Sequence, residues 1–148
     1  MQDKNKFLIN PKTETLIFGK IPEIKIHHPQ HIFEEGLIYL RHGEHIRANR
    51  GFGACHIWEA HRKELESMGY TSFEQVPEFV SNIILPGVPI HCEFSNLKGN
   101  HRITVLRSQI GIAILEKKLN NNIPMYSVVT AFNRKQAHGT LIGHTVAL

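Results

Sequence analysis

The hydrophobic period of the sequence changes from that of helices to that of strands at Pro86-Gly87. Before this point, apolar residues recur at helical spacing over about 54–68 and about 72–85. After it, apolar and polar residues alternate as in strands, in four segments at 89–94, 101–107, 112–116 and 125–132. Short connections between these segments favour antiparallel pairing. The sequence therefore predicts an α+β domain in which two N-terminal helices pack on a four-stranded or larger antiparallel sheet.

The N-terminal part of the chain has weaker signals. Short candidate strands lie at 15–18, 23–26 and 37–40. We therefore divide the chain into an N-terminal segment, 1–35, and a main domain, 36–148. A polar loop is expected around 120–122, and the tail after 133 is expected to be irregular with one short strand.

The composition is that of an ordinary globular protein with a basic balance. Hydrophobic residues make up 41% and charged residues 20% of the chain. No apolar run reaches the roughly 18–20 residues that span a bilayer, and the N-terminus lacks the apolar core of a signal peptide. A net charge of +4 favours a polyanionic partner such as nucleic acid, or an acidic protein. Cys55 and Cys92 form neither a disulfide framework nor a CxxC metal motif.

Two histidines, His56 and His61, follow a glycine turn at the start of the first predicted helix. Histidine can exchange a proton near neutral pH, so the pair is a candidate general acid and base. Five residues along a regular helix place them about 140° apart, which excludes the i, i+4 ligand pair of a zinc-binding HExxH motif. We expect one to face a cleft and the other to lie at its rim or against the sheet. The alternative is a structural histidine packed on Trp58.

Cationic and hydroxyl side chains on the predicted strands form a second candidate group, which comprises Arg102, Arg107, Tyr126 and Thr130. Arginine binds phosphate oxygens through two parallel hydrogen bonds, and a hydroxyl can complete such a site. Fixed donors of this kind stabilise the charge that develops on a phosphorane. Because alternate residues of a strand point to opposite faces, only one of Ser127 and Thr130 should face the site. The alternative is a solvated sheet face.

A third group of histidines precedes the glycine turn and comprises His27, His28, His31, His42 and His45. No cysteine or carboxylate completes a recognised ligand spacing around them. We therefore expect no structural or catalytic metal here, and no cofactor.

Resemblance to a known family lies in four segments, in this order: GFGACHIWEAHRKELESMGY, VPEFVSNIILPGVPI, GNHRITVLRSQIGIAILEKK and YSVVTAFNRKQAHGTLIG. Together they resemble the C-terminal toxin domains of polymorphic bacterial toxins. They are similar to the barnase/EndoU/colicin/RelE-like (BECR) ribonuclease superfamily, which includes toxins of contact-dependent growth inhibition systems. The resemblance covers about residues 36–143 and implies a BECR-like fold.

The resemblance also implies an activity. Members are metal-independent endoribonucleases that usually cleave tRNA, by attack of the ribose 2′-OH to give a 2′,3′-cyclic phosphate. The family's catalytic positions fall, in chain order, on His56, His61, Arg102 or Arg107, Tyr126 and Thr130. The histidines would be general base and general acid in an order that stays open, and an arginine would bind the phosphate. EndoU-type members add a lysine to two histidines, and the arginine-bearing strand has no lysine.

The biological setting follows from the same resemblance. It implies a toxin that is secreted as part of a larger effector and acts in the cytoplasm of a target bacterium. A cognate immunity protein, expected to be acidic, would block the basic cleft. Residues 1–35 would then belong partly to a region that mediates uptake. Two alternatives are a non-catalytic RNA- or protein-binding module and a metal-dependent DNase toxin.

Overall fold

The structure, a computed structural model, describes residues 3–94, 102–137 and 139–148. It is mostly sheet, with 44% strand and 20% helix. Six strands precede the first helix, so no N-terminal pair of helices packs on a sheet in the described chain. The predicted fold class, two N-terminal helices on a BECR-like antiparallel sheet, is therefore wrong. The early strands are only three or four residues long, too short to show a clear period.

The described elements follow the chain in this order. The strands before the helices are β1 (Gly19–Ile21), β2 (Ile24–His27), β3 (Gln30–Phe33), β4 (Gly36–Tyr39), β5 (Glu44–Arg47) and β6 (Arg50–Phe52). The helical segments are α1 (Gly53–Ser67), a 3₁₀ turn (Phe73–Gln75) and α2 (Val76–Ile83). The later strands are β7 (Pro89–Cys92), β8 (Ile103–Arg107), β9 (Gly111–Asn120), β10 (Ile123–Phe132) and β11 (Thr140–His144).

Seven strands form one sheet in the order β1-β4-β10-β9-β8-β7-β11. The predicted antiparallel meander is confirmed for β7 to β10. The sheet as a whole is mixed, because β4 pairs in parallel with β10. Parallel strands need a long connection, and here the chain between β4 and β10 includes both helices and the meander.

The N-terminal segment contributes to this sheet and to its core. β1 pairs with β4 at the edge of the sheet, and Phe18 and Ile21 are buried in the main hydrophobic cluster. The strand predicted at 15–18 lies slightly later, at β1. Two hairpins, β2–β3 and β5–β6, stand outside the seven-stranded sheet.

The first predicted helix is confirmed as α1, whereas the second is divided. Its start is a 3₁₀ turn in which Gln75 Oε1 accepts a hydrogen bond from Ser72 N at 3.1 Å, as the capping spacing predicted. The α-helical part, α2, has only 8 residues. No described helix is long and apolar enough to cross a membrane.

Turn and tail predictions have mixed outcomes. The polar loop is a tight hairpin turn between β9 and β10, where Asn121 and Asn122 have positive φ of 52° and 65°. Asparagine tolerates this left-handed conformation, which matches the twist of a two-residue hairpin. The predicted short strand in the tail is confirmed as β11. The connection between the strands predicted at 89–94 and 101–107, together with His101, lies outside the described residues.

Candidate active site

A cleft of about 1030 Å³ lies among α1, the β5–β6 hairpin and strands β9 and β10. Four of the predicted site residues line it: His56, His61, Arg102 and Thr130. Its other charged lining residues are Arg50, Lys118, Arg134, Glu64 and Glu116. Cationic side chains thus outnumber carboxylates around the cleft, which favours an anionic ligand.

His56 is buried at the wall of this cleft and touches a second histidine. Its Nδ1 lies 3.0 Å from Nδ1 of His45, and the two rings stack with centroids 5.1 Å apart. Burial lowers the pKa of His56, and the nearby His45, His61 and Arg102 lower this pKa further. The imidazole is therefore neutral at neutral pH and able to accept a proton.

Gly51 makes the close approach of His56 to the hairpin possible. A Cβ atom at this position would lie 2.7 Å from His56 Nδ1 and 2.5 Å from the carbonyl oxygen of Glu44. Its φ of +148° is also one that other residues rarely adopt. The glycine before α1 therefore serves the site directly, by leaving room for the imidazole ring.

His61 lies at a kink in α1, where its φ of −129° and ψ of 21° are not helical. Because the helix is not regular there, the spacing of about 140° does not apply. Both histidines line the same cleft, and His61 also stacks on Phe132 of β10 with ring centroids 4.7 Å apart. Burial lowers the pKa of His61.

Glu64 is a cleft residue that the sequence reasoning missed. Its Oε2 lies 3.7 Å from His61 Nδ1, and its Oε1 accepts a hydrogen bond from the backbone N of Asn133. Burial raises the pKa of Glu64, although the Asn133 hydrogen bond and Arg134 act in the opposite direction. The i, i+3 spacing from His61 was the signal in the sequence, because residues three apart on a helix are neighbours. His45 gave no comparable signal, since its strand has no clear period.

A β-bulge in β10 decides which of its side chains reach the cleft. The register with β9 shifts between Val128 and Thr130. Ser127 pairs with Glu116 and Thr130 with Ile114, two residues of β9 on one face. Ser127 and Thr130 therefore share a face, so the predicted opposite orientation is wrong, although only Thr130 of the two lines the cleft, as expected. An extra residue in one strand has this effect because it reverses the alternation beyond it.

Thr130 contributes its hydroxyl group to the same cleft. Its Oγ1 is buried, and within the described residues it makes no hydrogen bond. A buried hydroxyl without a partner costs roughly 1–3 kcal/mol. Its place in the lining of a cationic cleft makes it a candidate donor to a bound anion.

Arg102 also lines the cleft, in a group of charges around Glu116. Glu116 is held by the largely buried Arg41, whose Nη2 lies 3.1 Å from it. Lys118 Nζ and Arg102 Nη2 are farther from the same carboxylate, at 3.5 Å and 3.9 Å. Since Arg41 is also bonded to Ser127 Oγ at 2.7 Å, it is fixed in place. Arg102 is 59% exposed and is the arginine here that can turn towards a ligand.

Arg107 and Tyr126, two of the predicted site residues, do not line the cleft. Arg107 lies five residues after Arg102 and so on the opposite face of the strand, where its Nη1 donates to the carbonyl of Asn82 at 2.6 Å. It thus binds a free carbonyl near the end of α2. Tyr126 is buried and donates to the carbonyl of Glu34 at 2.7 Å. Burial, together with the charge of Glu34, raises the pKa of Tyr126 to about 12.

The remaining histidines of the N-terminal half are dispersed. His27 and His31 belong to the β2–β3 hairpin, and His42 lies 3.4 Å from the sulfur of Cys55 through its Nδ1. Within the described residues, no three or more histidine, cysteine or acidic side chains are grouped so that they could hold a metal ion.

Comparison with protein-family models, with curated proteins and with solved structures found no match. Of the residues that the four segments of the resemblance imply, the two histidines, Arg102 and Thr130 line the cleft together.

Proposed function

We propose that this protein is a metal-independent endoribonuclease whose active centre is the basic cleft. The observation that carries the proposal is the meeting of His56, His61 and the unpartnered hydroxyl of Thr130 in one cleft. Cleavage of RNA by its own 2′-hydroxyl needs a base, an acid and donors for the phosphate oxygens, and no metal. The proposed products are a 2′,3′-cyclic phosphate and a free 5′-hydroxyl.

In this proposal His56 is the general base. In the tautomer that this role requires, His56 donates its Nδ1–H to His45 Nδ1, and its Nε2 accepts the proton of the ribose 2′-OH. The 2′-oxygen then forms a bond to phosphorus while the bond from phosphorus to the 5′-oxygen breaks. The lowered pKa of His56 favours this role, because the imidazole is already deprotonated when RNA binds.

The His61–Glu64 pair supplies the proton that the leaving 5′-oxygen needs. Burial lowers the pKa of His61 and raises that of Glu64, so the two values are brought towards each other. The carboxylate of Glu64, 3.7 Å from His61 Nδ1, stabilises the protonated imidazole that donates this proton. Thr130 and Arg102 bind the non-bridging phosphate oxygens, as hydroxyl and guanidinium donors do.

The pH dependence of cleavage tests the assignment of the base. Since the pKa of His56 is lowered, the fall of kcat/KM on the acidic side of its pH profile should lie below pH 6.5, the ordinary value, where protonation removes the base. The charge of His45 is one cause of the lowered pKa, so His45→Gln should move this fall towards pH 6.5. Glutamine keeps a hydrogen-bonding group near His56 but carries no charge. A pH profile of kcat/KM that is identical in both proteins would contradict this role.

The resemblance supplies the proposed setting. Its usual substrate, tRNA, is the RNA to test first, and the cationic lining of the cleft suits an RNA backbone. We propose further that the protein is a toxin that acts in the cytoplasm of target bacteria after secretion as part of a larger effector. An acidic immunity protein that covers the cleft fits the same charges.

Incubation of the purified protein with tRNA in EDTA tests the proposal. We expect cleavage in the chelator, with 2′,3′-cyclic phosphate ends identified by mass spectrometry. Activity that is lost in EDTA and restored by Mg²⁺ would instead indicate a metal-dependent nuclease. Salt-sensitive binding without cleavage would indicate a binding module.

A further inference from the structure

The β5–β6 hairpin, residues 44–52, is an arm beside the cleft. It pairs with no strand of the seven-stranded sheet and packs on α1. Several of its residues line the cleft: Ile46, Ala48, Asn49, Arg50, Gly51 and Phe52. His45 ties the arm to His56 through the 3.0 Å contact of their Nδ1 atoms. The arm is therefore held at a fixed place relative to the proposed general base.

Two arginines face each other at the tip of this arm. Arg47 and Arg50 are direct partners in the register of the hairpin, and both are exposed. Directly opposite residues of an antiparallel pair project from the same face, with Cβ atoms about 4.5–5.5 Å apart, and like charges there repel. Within the described residues neither arginine has an ion pair with a carboxylate. The tip thus carries two adjacent positive charges that no described protein group neutralises.

A β-bulge shapes the same tip. The register shifts between His45 and Arg47, so Ile46 is the extra residue of β5. Bulges often redirect side chains next to active sites. Ile46 is 56% exposed and lines the cleft, so it presents apolar surface next to the two charges. Apolar surface beside paired arginines suits a ligand with both flat bases and phosphates.

We propose that this arm binds the RNA backbone, with Arg47 and Arg50 together holding a phosphate next to the one that is cleaved. The inference rests on the proposed function and names the surface that positions its substrate. A guanidinium fork matches phosphate oxygens, and two forks on one face relieve their mutual repulsion when an anion lies between them. An acidic protein would also be attracted, but the arm continues into the cleft where the scissile phosphate is proposed to lie, which favours RNA.

The test measures binding separately from cleavage. A His61→Ala background is used so that RNA stays intact, because this substitution removes the proposed general acid and lies outside the arm. The dissociation constant for a fluorescent single-stranded RNA is measured over a range of NaCl concentrations, with and without the double substitution Arg47→Ala/Arg50→Ala. We expect the slope of the logarithm of the association constant against the logarithm of the NaCl concentration to fall in magnitude by about 0.7, as the loss of one phosphate contact requires. The thermal midpoint should not fall, because a repulsive pair is removed.

A matched control removes two positive charges elsewhere. Lys25 of β2 and Lys63 of α1 are exposed and do not line the cleft, so Lys25→Ala/Lys63→Ala should leave the slope unchanged. Equal slopes for the arm variant and this control would overturn the proposal, even if the wild-type protein cleaves RNA. If the wild-type protein does not cleave RNA but the arm variant still shows a smaller salt dependence of RNA binding than the control, the role of the arm is supported and the proposed nuclease activity is contradicted.

Discussion

Replacing His56 by alanine is expected to lower the rate of RNA cleavage at pH 7 by about 10²–10⁴-fold, the contribution of one general acid or base. The loss should appear in single-turnover experiments with a labelled RNA, which report the chemical step rather than product release. Substrate binding should change little, because His56 is buried in the wall of the cleft and the phosphate is held by other residues. A fall in kcat with little change in the dissociation constant is therefore the expected pattern.

His91 provides a matched control for this substitution. His91 is a partly buried histidine. As for His56, burial lowers its pKa, and the charge of His144 lowers this pKa further. It lies in β7 and does not line the cleft, so His91→Ala removes a comparable ring at no cost to the proposed chemistry. Cleavage by His91→Ala should match the wild-type rate. Equal rates for the two variants, both shown by circular dichroism to be folded, would contradict the assignment of His56 as the base.

The sequence predicts the later part of the fold better than the earlier part. α1 and the strands β7 to β10 have clear periods, and the short connections in this part lead correctly to a meander. β1 to β6 have three or four residues each, and no such run determines its partner. The parallel pairing of β4 with β10 is a contact between distant parts of the chain, which local patterns do not encode. The predicted fold class is wrong because the predicted sheet began only after the helices, whereas β1 and β4, which precede α1, belong to the main sheet.

The candidate site was predictable by residue type but not by geometry. Two histidines, two arginines, a tyrosine and a threonine were chosen for their chemistry, and four of these six, His56, His61, Arg102 and Thr130, line one cleft. Two local irregularities bring them there, the kink at His61 and the bulge before Thr130. Neither the kink nor the bulge contains a proline or glycine from which it could be predicted. For the same reason the alternation rule placed Ser127 and Thr130 on opposite faces.

Substitution of Gly51 by alanine is expected to lower cleavage at least about tenfold, because displacement of a catalytic group by as little as 1 Å can cost about 10²-fold. The added methyl would lie 2.7 Å from His56 Nδ1, so the imidazole or the arm has to move. The added methyl would also lie 2.5 Å from the carbonyl oxygen of Glu44, so it cannot move away from His56 without a clash within the hairpin. The contact between His45 and His56 should be lost, and kcat should fall more than RNA binding does. Single-turnover rates and binding isotherms measure the two effects separately.

Gly69→Ala separates this steric effect from ordinary backbone strain. Gly69 follows α1 with a φ of +98°, yet a Cβ there meets nothing within 4 Å. Both substitutions put a side chain into a conformation that L-residues rarely adopt, at a cost of about 1–2 kcal/mol in the free energy of unfolding. Urea denaturation should thus show both variants destabilised, while only Gly51→Ala loses activity. Wild-type cleavage by folded Gly51→Ala would show that the close packing of His56 against the arm is unnecessary, and the proposed geometry of the base would have to be abandoned.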